Sequence, residues 1–402
     1  MTTNTGSTPL AFSPYDYVFH EDPYPTYARL RTEAPVFHNA EHGFWALSRY
    51  DDVAAAIRDS QRLSSANGVS LDPAAYGPHA HRTMSFLAMD NPRHNRMRSL
   101  VGKGFTPRRV NRLEPRIAEL TRQHLDAALH DDEFDFISAF AGKLPMDVIS
   151  ELMGVPSADR DALRHLADSV VHRDEGVYDV PEEAMSASLE LVQYYADMLA
   201  ERRRNPADDL TSALLEAEID GDRLDDEEII GFLFLMVVAG NETTTKLLGN
   251  CAYWGWRNPD ELAKVLGDVE RVPDWVEETL RYDNSTQMLA RTATEDLEYY
   301  GRTVPAGDCV LLLVGSANRD ENAFPEPDRF DIDRDTSSQI VSFGAGTHFC
   351  LGAHLARLEA RIALTELVNR VADFDLDVAR ASRVHSSNVR GFAELPMSVR
   401  RR

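Results

Sequence analysis

The chain has 402 residues, 43% of them hydrophobic and 27% charged, and carries a formal net charge of −24. That length can bury a substantial core, and so negative a balance argues against a nucleic-acid partner. The only cysteines are Cys251, Cys309 and Cys350, with no C-x-x-C pair, which argues against a disulfide scaffold, a structural zinc site or a four-thiolate cluster.

Residues Met1 to Pro14 are polar and lack a cationic start followed by an apolar run, so no signal peptide or anchor is expected. The longest apolar run, Phe232 to Gly240, falls far short of the ~20 residues that a membrane span needs. The expectation is a cytoplasmic protein that is free of the membrane.

In chain order, Pro23, Pro25 and Pro35 punctuate a short helix over Tyr24 to Thr32. Val36-Phe37 and Phe44 to Leu47 read as two short strands around Gly43, with a helix over Asp51 to Asp59 after them. Ser64 to Asp90 has four Gly or Pro breakers and no sustained period, as in a lid or binding loop. Helices are expected from Asn91-Pro92 through Val101, from Pro107 to Ala128, and on to about Asn205, broken near Pro156 and between Asp174 and Pro181.

Asp225 to Glu228 supplies a capping-box signal for a helix reaching Trp256, apolar nearly all round in its middle and therefore buried. Helices over Pro259 to Leu266 and Pro273 to Tyr282 follow, then strand-like pieces near 290–294, 299–300 and 310–314. A long helix to Asp373 and strand-like endings complete the chain. The pattern is mostly α with a minor antiparallel β component: one α-rich domain over 1–402, β-rich near 36–47, 290–314 and 375–400.

Near the C-terminus, Phe343 to Gly352 packs three glycines and Cys350 into a short loop just ahead of a helix. Glycines let the backbone turn sharply and approach something bulky, and a thiolate is favoured beside the unpaired amides of a helix N-terminus. This reads as a single thiolate presented to a metal. Cys251, in a helical pattern, and Cys309, in a strand-like run, read as core residues.

Four features occur together: F-x-x-G-x-x-x-C-x-G at Phe343, Gly346, Cys350 and Gly352; Ala239-Gly240-Asn241-Glu242-Thr243-Thr244 inside the buried helix; E-x-x-R at Glu278 and Arg281; and Phe324-Pro325-Glu326-Pro327-Asp328-Arg329-Phe330. In this order they resemble the cytochrome P450 family in its soluble bacterial form, over nearly the whole chain. The resemblance implies that haem b is held by Cys350, whose electron donation favours O–O cleavage. It implies that Thr243 and Glu242 are the alcohol and the acid of a proton relay, with Gly240 permitting a bulge in the helix. It assigns His94, Arg98, Arg291 and His348 to the haem propionates, since cations suit carboxylates. Phe343, Gly344, Gly352, Ala239 and Gly240 would lie against the cofactor.

The same resemblance puts Glu278, Arg281 and Arg329 in a buried ion-pair network behind the Cys350 loop. It makes Met84, Phe86, Leu87, Met236, Met288, Leu289, Val389 and Phe392 candidate substrate contacts, and the helix presents Phe232, Met236, Ala239, Thr243 and Leu247 as one stripe. One departure stands out: Asn284-Ser285 occupies a place where the family usually has proline. Between Asn91 and Leu113 seven Arg or Lys and no acid occur. Arg96, Lys103, Arg108, Arg109 and Arg112, extended by Arg357 and Arg361, would steer an acidic ferredoxin or flavodoxin.

The implied activity is insertion of one oxygen atom from O2 into a bulky hydrophobic small molecule, in a monomer driven by NAD(P)H. Phenol coupling, isomerisation, peroxide-driven oxidation and a non-catalytic haem sensor or carrier stay open as alternatives.

Overall fold

The computed structural model describes residues 10–72, 76–102, 105–172, 180–219, 221–336 and 339–402. Most of the break expected between Asp174 and Pro181 lies outside the described residues. The axis of the molecule is the helix Asp226–Arg257, which starts at a reciprocal capping box: the Asp225 side chain accepts from the Glu228 N–H and the Glu228 side chain from the Asp225 N–H. Being apolar all round in its middle, this helix is covered on every side. Lys143–Met153, Arg160–Val171, Glu182–Arg204, Val272–Tyr282 and Ala353–Arg370 all pack against it. The segment His81–Met84 also lies on it, where Gly231 allows a close approach: a methyl there would sit 2.7 Å from the Arg82 carbonyl oxygen.

The minor β component is mixed and not purely antiparallel. Its main sheet runs Val36–Asn39, Phe44–Leu47, Cys309–Leu312, Leu289–Ala293, Leu63–Ser64. Phe44–Leu47 and Cys309–Leu312 are parallel, in register Phe44 to Cys309, while the other neighbours are antiparallel. Val371–Leu376, Pro396–Arg401 and Glu133–Asp135 form a second, antiparallel sheet.

The helix expected over Pro107 to Ala128 is two helices, Pro107–Arg112 and Glu114–Ala128. Pro115 stands in the first turn of the second helix, where its missing N–H costs nothing, and it cannot donate back across the break. Asp209 caps Leu210–Glu216 by accepting from the Ser212 N–H.

Candidate active site

Phe343 to Gly352 forms a tight loop between Val341 and the helix Ala353–Arg370. Gly344 at φ +68° and Gly346 at φ +64° supply the left-handed turns, and the Cys350 N–H closes the loop on the Phe343 carbonyl at 2.9 Å. Burial pushes the Cys350 thiol up. The N–H groups of Gly352 and Ala353, pointed at the sulfur, and the charges of Arg98 and Arg357 oppose that and favour the thiolate. An added methyl on Gly352 would meet nothing within 4 Å.

A cavity of about 250 Å³ separates this loop from the central helix. Cys350, Phe343, Gly344, His348 and Gly352 form its floor, and Met236, Ala239, Gly240, Thr243 and Leu247 one wall. Of the substrate candidates, Phe86, Leu87, Met236 and Leu289 line it. The others lie elsewhere. Met288, adjacent to the strand residue Leu289, points to the opposite face of the extended backbone, into the apolar cluster of Phe12, Phe19 and Tyr27. Val389 lines a small cleft beside Phe19 and His20, and Phe392 packs on Tyr253 in the main core. Met84 sits on the short helix His81–Met84, outside the cavity wall. Phe232 is also core, packed on Phe86 and Phe105.

The four predicted cations converge at one edge of the cavity. The His94 and His348 rings lie 4.2 Å apart, and Arg291 and Arg98 both bear on His348. Arg98 gives one nitrogen to the Phe349 carbonyl at 2.6 Å, while its Nη1 is buried without a partner among the described residues. His94 Nε2 and both nitrogens of His348 are buried and unpartnered in the same way. Burial, reinforced by Arg291, His94 and Arg98, drives His348 down to about 3, and burial lowers Arg291 to about 10. Buried donors left without acceptors are costly. A planar group carrying two carboxylates, with a metal facing a thiolate, supplies what this edge lacks, so the residues present fit haem.

The relay candidates diverge. The Thr243 hydroxyl donates to the Ala239 carbonyl at 2.8 Å, and the helix continues without a bulge at Gly240, contrary to expectation. Glu242 points away from the cavity of Cys350. Its carboxylate, 2% exposed, lies 3.2 Å from Lys246 Nζ and faces a second cavity.

Glu278 and Arg281 pair at 2.7 Å, 1% and 0% exposed. The expected third member is corrected: the Arg329 side chain is 56% exposed and contributes only its carbonyl, which accepts from Arg281. Arg334 approaches Glu278 instead, at 3.7 Å. In the irregular stretch after Phe324 the chain doubles back, bringing the later arginine inward.

The basic island is also reduced. Arg96 is tied to Asp222 at 2.5 Å and Glu228 at 2.7 Å, Arg357 to Glu277 at 2.5 Å, and Arg361 to Glu114 at 2.6 Å. Arg108 and Arg112 are exposed. Lys103 and the Arg109 side chain lie outside the described residues.

Ser285 is the site residue that motif reasoning leaves without a role. Its hydroxyl donates to the Thr243 carbonyl at 2.7 Å, stitching the Asn284-Ser285 departure to the central helix. The absence of proline there is the available signal. Phe105, Ile149 and Leu235 complete the cavity wall from elements whose approach no local pattern shows.

Among the described residues no helix is long and apolar enough to cross a membrane. The family model Cytochrome P450 matches residues 179–396. Cytochrome P450 123 of Mycobacterium tuberculosis is 60% identical over 402 residues, covering all of both chains. The structure of the bacillaene polyketide synthase cytochrome P450 PksS of Bacillus subtilis superposes with a TM-score of 0.87 at 36% identity, over 97% of this chain and 100% of that one. CYP109E1 of Bacillus megaterium, in complex with corticosterone, gives 0.83 at 34% identity, over 94% and 98%. With its central helix, cysteine loop and cation cluster in the family's order, the chain belongs to the cytochrome P450 family, a monooxygenase that carries haem b.

Proposed function

We propose that the protein inserts one oxygen atom from O2 into a bulky, mainly hydrophobic small molecule, by hydroxylation or epoxidation, as a tailoring step on a natural product. One observation carries this reading: Cys350 and Thr243 line the same cavity, whose remaining wall is built from Phe86, Leu87, Met236, Leu289 and similar apolar groups. The polyketide pathway named for PksS and the corticosterone bound to CYP109E1 support a large, weakly polar substrate. Such a ligand gains roughly 25 cal/mol for each Å² of apolar surface taken from water.

Each residue then has a task. Cys350 ligates the haem iron, with the amides of Gly352 and Ala353 tempering its charge. His94, Arg98, Arg291 and His348 hold the propionates, while Phe343, Gly344, Ala239 and Gly240 pack on the macrocycle. When bound, haem supplies the oxygen chemistry. Thr243 holds a proton at Oγ1 over the cavity, and Glu242, the preceding residue of the same helix, serves as its acid partner. The apolar wall excludes bulk water. NAD(P)H-derived electrons arrive through an acidic ferredoxin or flavodoxin at a face that includes Arg108 and Arg112, and the protein works as a cytoplasmic monomer.

The test is optical. The reduced protein exposed to carbon monoxide should show the red-shifted Soret band of thiolate-ligated haem, and Cys350→Ser should lose it. A folded, haem-loaded wild type without that band would overturn the ligand assignment. Thr243→Ala should keep the band and divert reducing equivalents into hydrogen peroxide. Unchanged product per electron would remove Thr243 from the relay.

A further inference from the structure

Behind the central helix, on the side away from Cys350, lies a second cavity of about 560 Å³, a size that takes small molecules. It is walled by the end of Arg160–Val171, by the start of Glu182–Arg204, and by the hairpin made from Ser382–Arg383 and Phe392–Glu394. Glu242, Thr245 and Lys246 close it on the side of the central helix. Between the charged groups, Ile137, Val171, Ala184, Val384 and Ala393 give it an apolar lining. The activity proposed above gives this space no role.

The charged groups that face it are unequally satisfied. Lys246 Nζ stands 3.2 Å from the Glu242 carboxylate. Arg164 lies 3.6 Å from Asp168, which itself meets Glu242 across the helix interface. Glu183, exposed at the rim, accepts from the Ser169 hydroxyl at 3.2 Å. His385 stacks on Tyr17, with ring centroids 3.4 Å apart. Arg383 differs from all of these. Its side chain is only 8% exposed, and Nη1 is buried without a hydrogen-bond partner among the described residues.

The surroundings of Arg383 do not supply what it lacks. The carboxylate it approaches, that of Asp283, stands 3.8 Å off. Asp283 is already committed: it accepts from the Tyr24 hydroxyl at 2.7 Å, from Trp254 Nε1 at 2.8 Å and from Arg390 Nε at 2.7 Å. Two buried guanidiniums thus share one carboxylate, and one positive charge is left over. Burial, reinforced by Arg390, accordingly lowers Arg383 to about 10. The fork is nevertheless held in place, because its central carbon lies 3.9 Å from the centre of the Phe392 ring and 5.1 Å from that of Tyr253. A desolvated cation fixed against aromatic rings at a cavity wall is costly unless an anion completes it. Arg291 is in the same state beside the cavity of Cys350.

We propose that the side cavity is a second binding site, which takes a small monocarboxylic acid with an apolar body, its carboxylate paired with the fork of Arg383. A planar guanidinium offers two parallel N–H groups to the two oxygens of a carboxylate. Asp168, Glu183 and Glu242 on the same walls disfavour a doubly charged phosphate. Ile137, Val171 and Val384 suit an alkyl or aryl body better than a sugar. The inference depends neither on what is oxidised in the cavity of Cys350 nor on the role of Glu242.

Calorimetric titration of octanoate into the ferric holoenzyme tests it, with the cavity of Cys350 first filled by phenylimidazole bound to the haem iron. A single saturable site should appear in the wild type. Arg383→Met keeps an apolar stem against Phe392 and should weaken binding by roughly tenfold or more. Ala393→Trp fills the cavity from an exposed strand position without altering a charge, and it should abolish binding. Octanol and inorganic phosphate should give no saturable heat. The proposal is overturned by a wild type that does not bind octanoate, by wild-type affinity in either variant, or by octanol binding as tightly as octanoate. Displacement of octanoate by phosphate would overturn the assignment to a monocarboxylate. The carbon monoxide spectrum of each variant shows whether the Cys350 site is intact, and where Arg383→Met yields no holoprotein, Ala393→Trp decides alone.

Discussion

Two buried arginines flank the segment that joins the helix Val272–Tyr282 to the strand Leu289–Ala293, and they are in opposite states. Arg281, 0% exposed, uses all five N–H groups: two on the oxygens of Glu278 at 2.9 and 2.7 Å, and three on the carbonyls of Asn318, Pro327 and Arg329 at 3.0, 2.9 and 3.1 Å. Arg291, 3% exposed, has one bond among the described residues, to the carbonyl of its own neighbour Ala290 at 2.7 Å. Around it gather His94, Arg98 and His348, with buried nitrogens unmatched. A complete shell marks a cation that holds the fold together. An incomplete shell marks one placed for a ligand, because evolution would otherwise be left with several costly orphan donors.

The largest effect should come from opening the complete shell. Glu278→Ala leaves Arg281 charged and unpaired in the core, a loss of about 3–5 kcal/mol out of a total of roughly 5–15 kcal/mol. Urea titration of the apoprotein should therefore show a much lower midpoint, or no soluble protein at all. A change below ~1 kcal/mol would mean that the Arg281 shell is not structural, and the contrast with Arg291 would collapse.

Next comes the incomplete shell, where the sign should depend on the cofactor. Arg291→Leu removes a desolvated charge that forms no ion pair with a described residue and feels the Asp90 carboxylate only at longer range, so the apoprotein should be as stable as the wild type or more so. The holoprotein should lose a charge-assisted bond worth about 1.5–3 kcal/mol, read as roughly tenfold to a hundredfold faster haem loss to a globin acceptor. Equal destabilisation of both forms would place Arg291 with Arg281 as a fold residue.

The two shells also separate what an amino-acid sequence makes legible from what it hides. Cys350, Thr243, Glu278 and Arg281 sit in short motifs whose spacing is local, and the helix and strand periods around them are regular. Side-chain direction across elements is not legible in this way. Met288 and Leu289 are equally apolar, yet only the pleat decides that Leu289 faces the cavity and Met288 the cluster of Phe12 and Phe19. Arg329 and Arg334 are equally basic, and only the path of an irregular stretch brings Arg334 to Glu278. Asp168 and Glu242 meet across a helix interface, so their pairing has no signature in either segment. The basic island reads as one patch when charge is counted along the chain, whereas Asp222, Glu228, Glu277 and Glu114 arrive from elsewhere to neutralise parts of it.

The smallest effect is the most diagnostic of the incomplete shell. In the folded apoprotein His348 is held neutral down to about 3 by burial and by Arg291, His94 and Arg98, while in the unfolded chain it takes a proton near its ordinary value of about 6.5. Between those two values the unfolded state binds the extra proton, so stability must fall as pH drops through that window and be unaffected by His348 above it. The slope approaches ~1.4 kcal/mol per pH unit, with about 1.4 kcal/mol lost by pH 5.5. His348→Gln should remove this part of the acid sensitivity from the apoprotein without changing its stability at pH 8. Haem binding should remove it as well, since a carboxylate beside His348 offsets the charges of Arg291 and Arg98 and lets the ring accept a proton when folded. Urea midpoints of wild type and His348→Gln, each measured with and without haem across that pH range, decide the matter. If the slope persists unchanged in the holoprotein, the unmatched nitrogens of His348 do not face the cofactor's carboxylates, and an incomplete shell would no longer serve to find a ligand site in this fold.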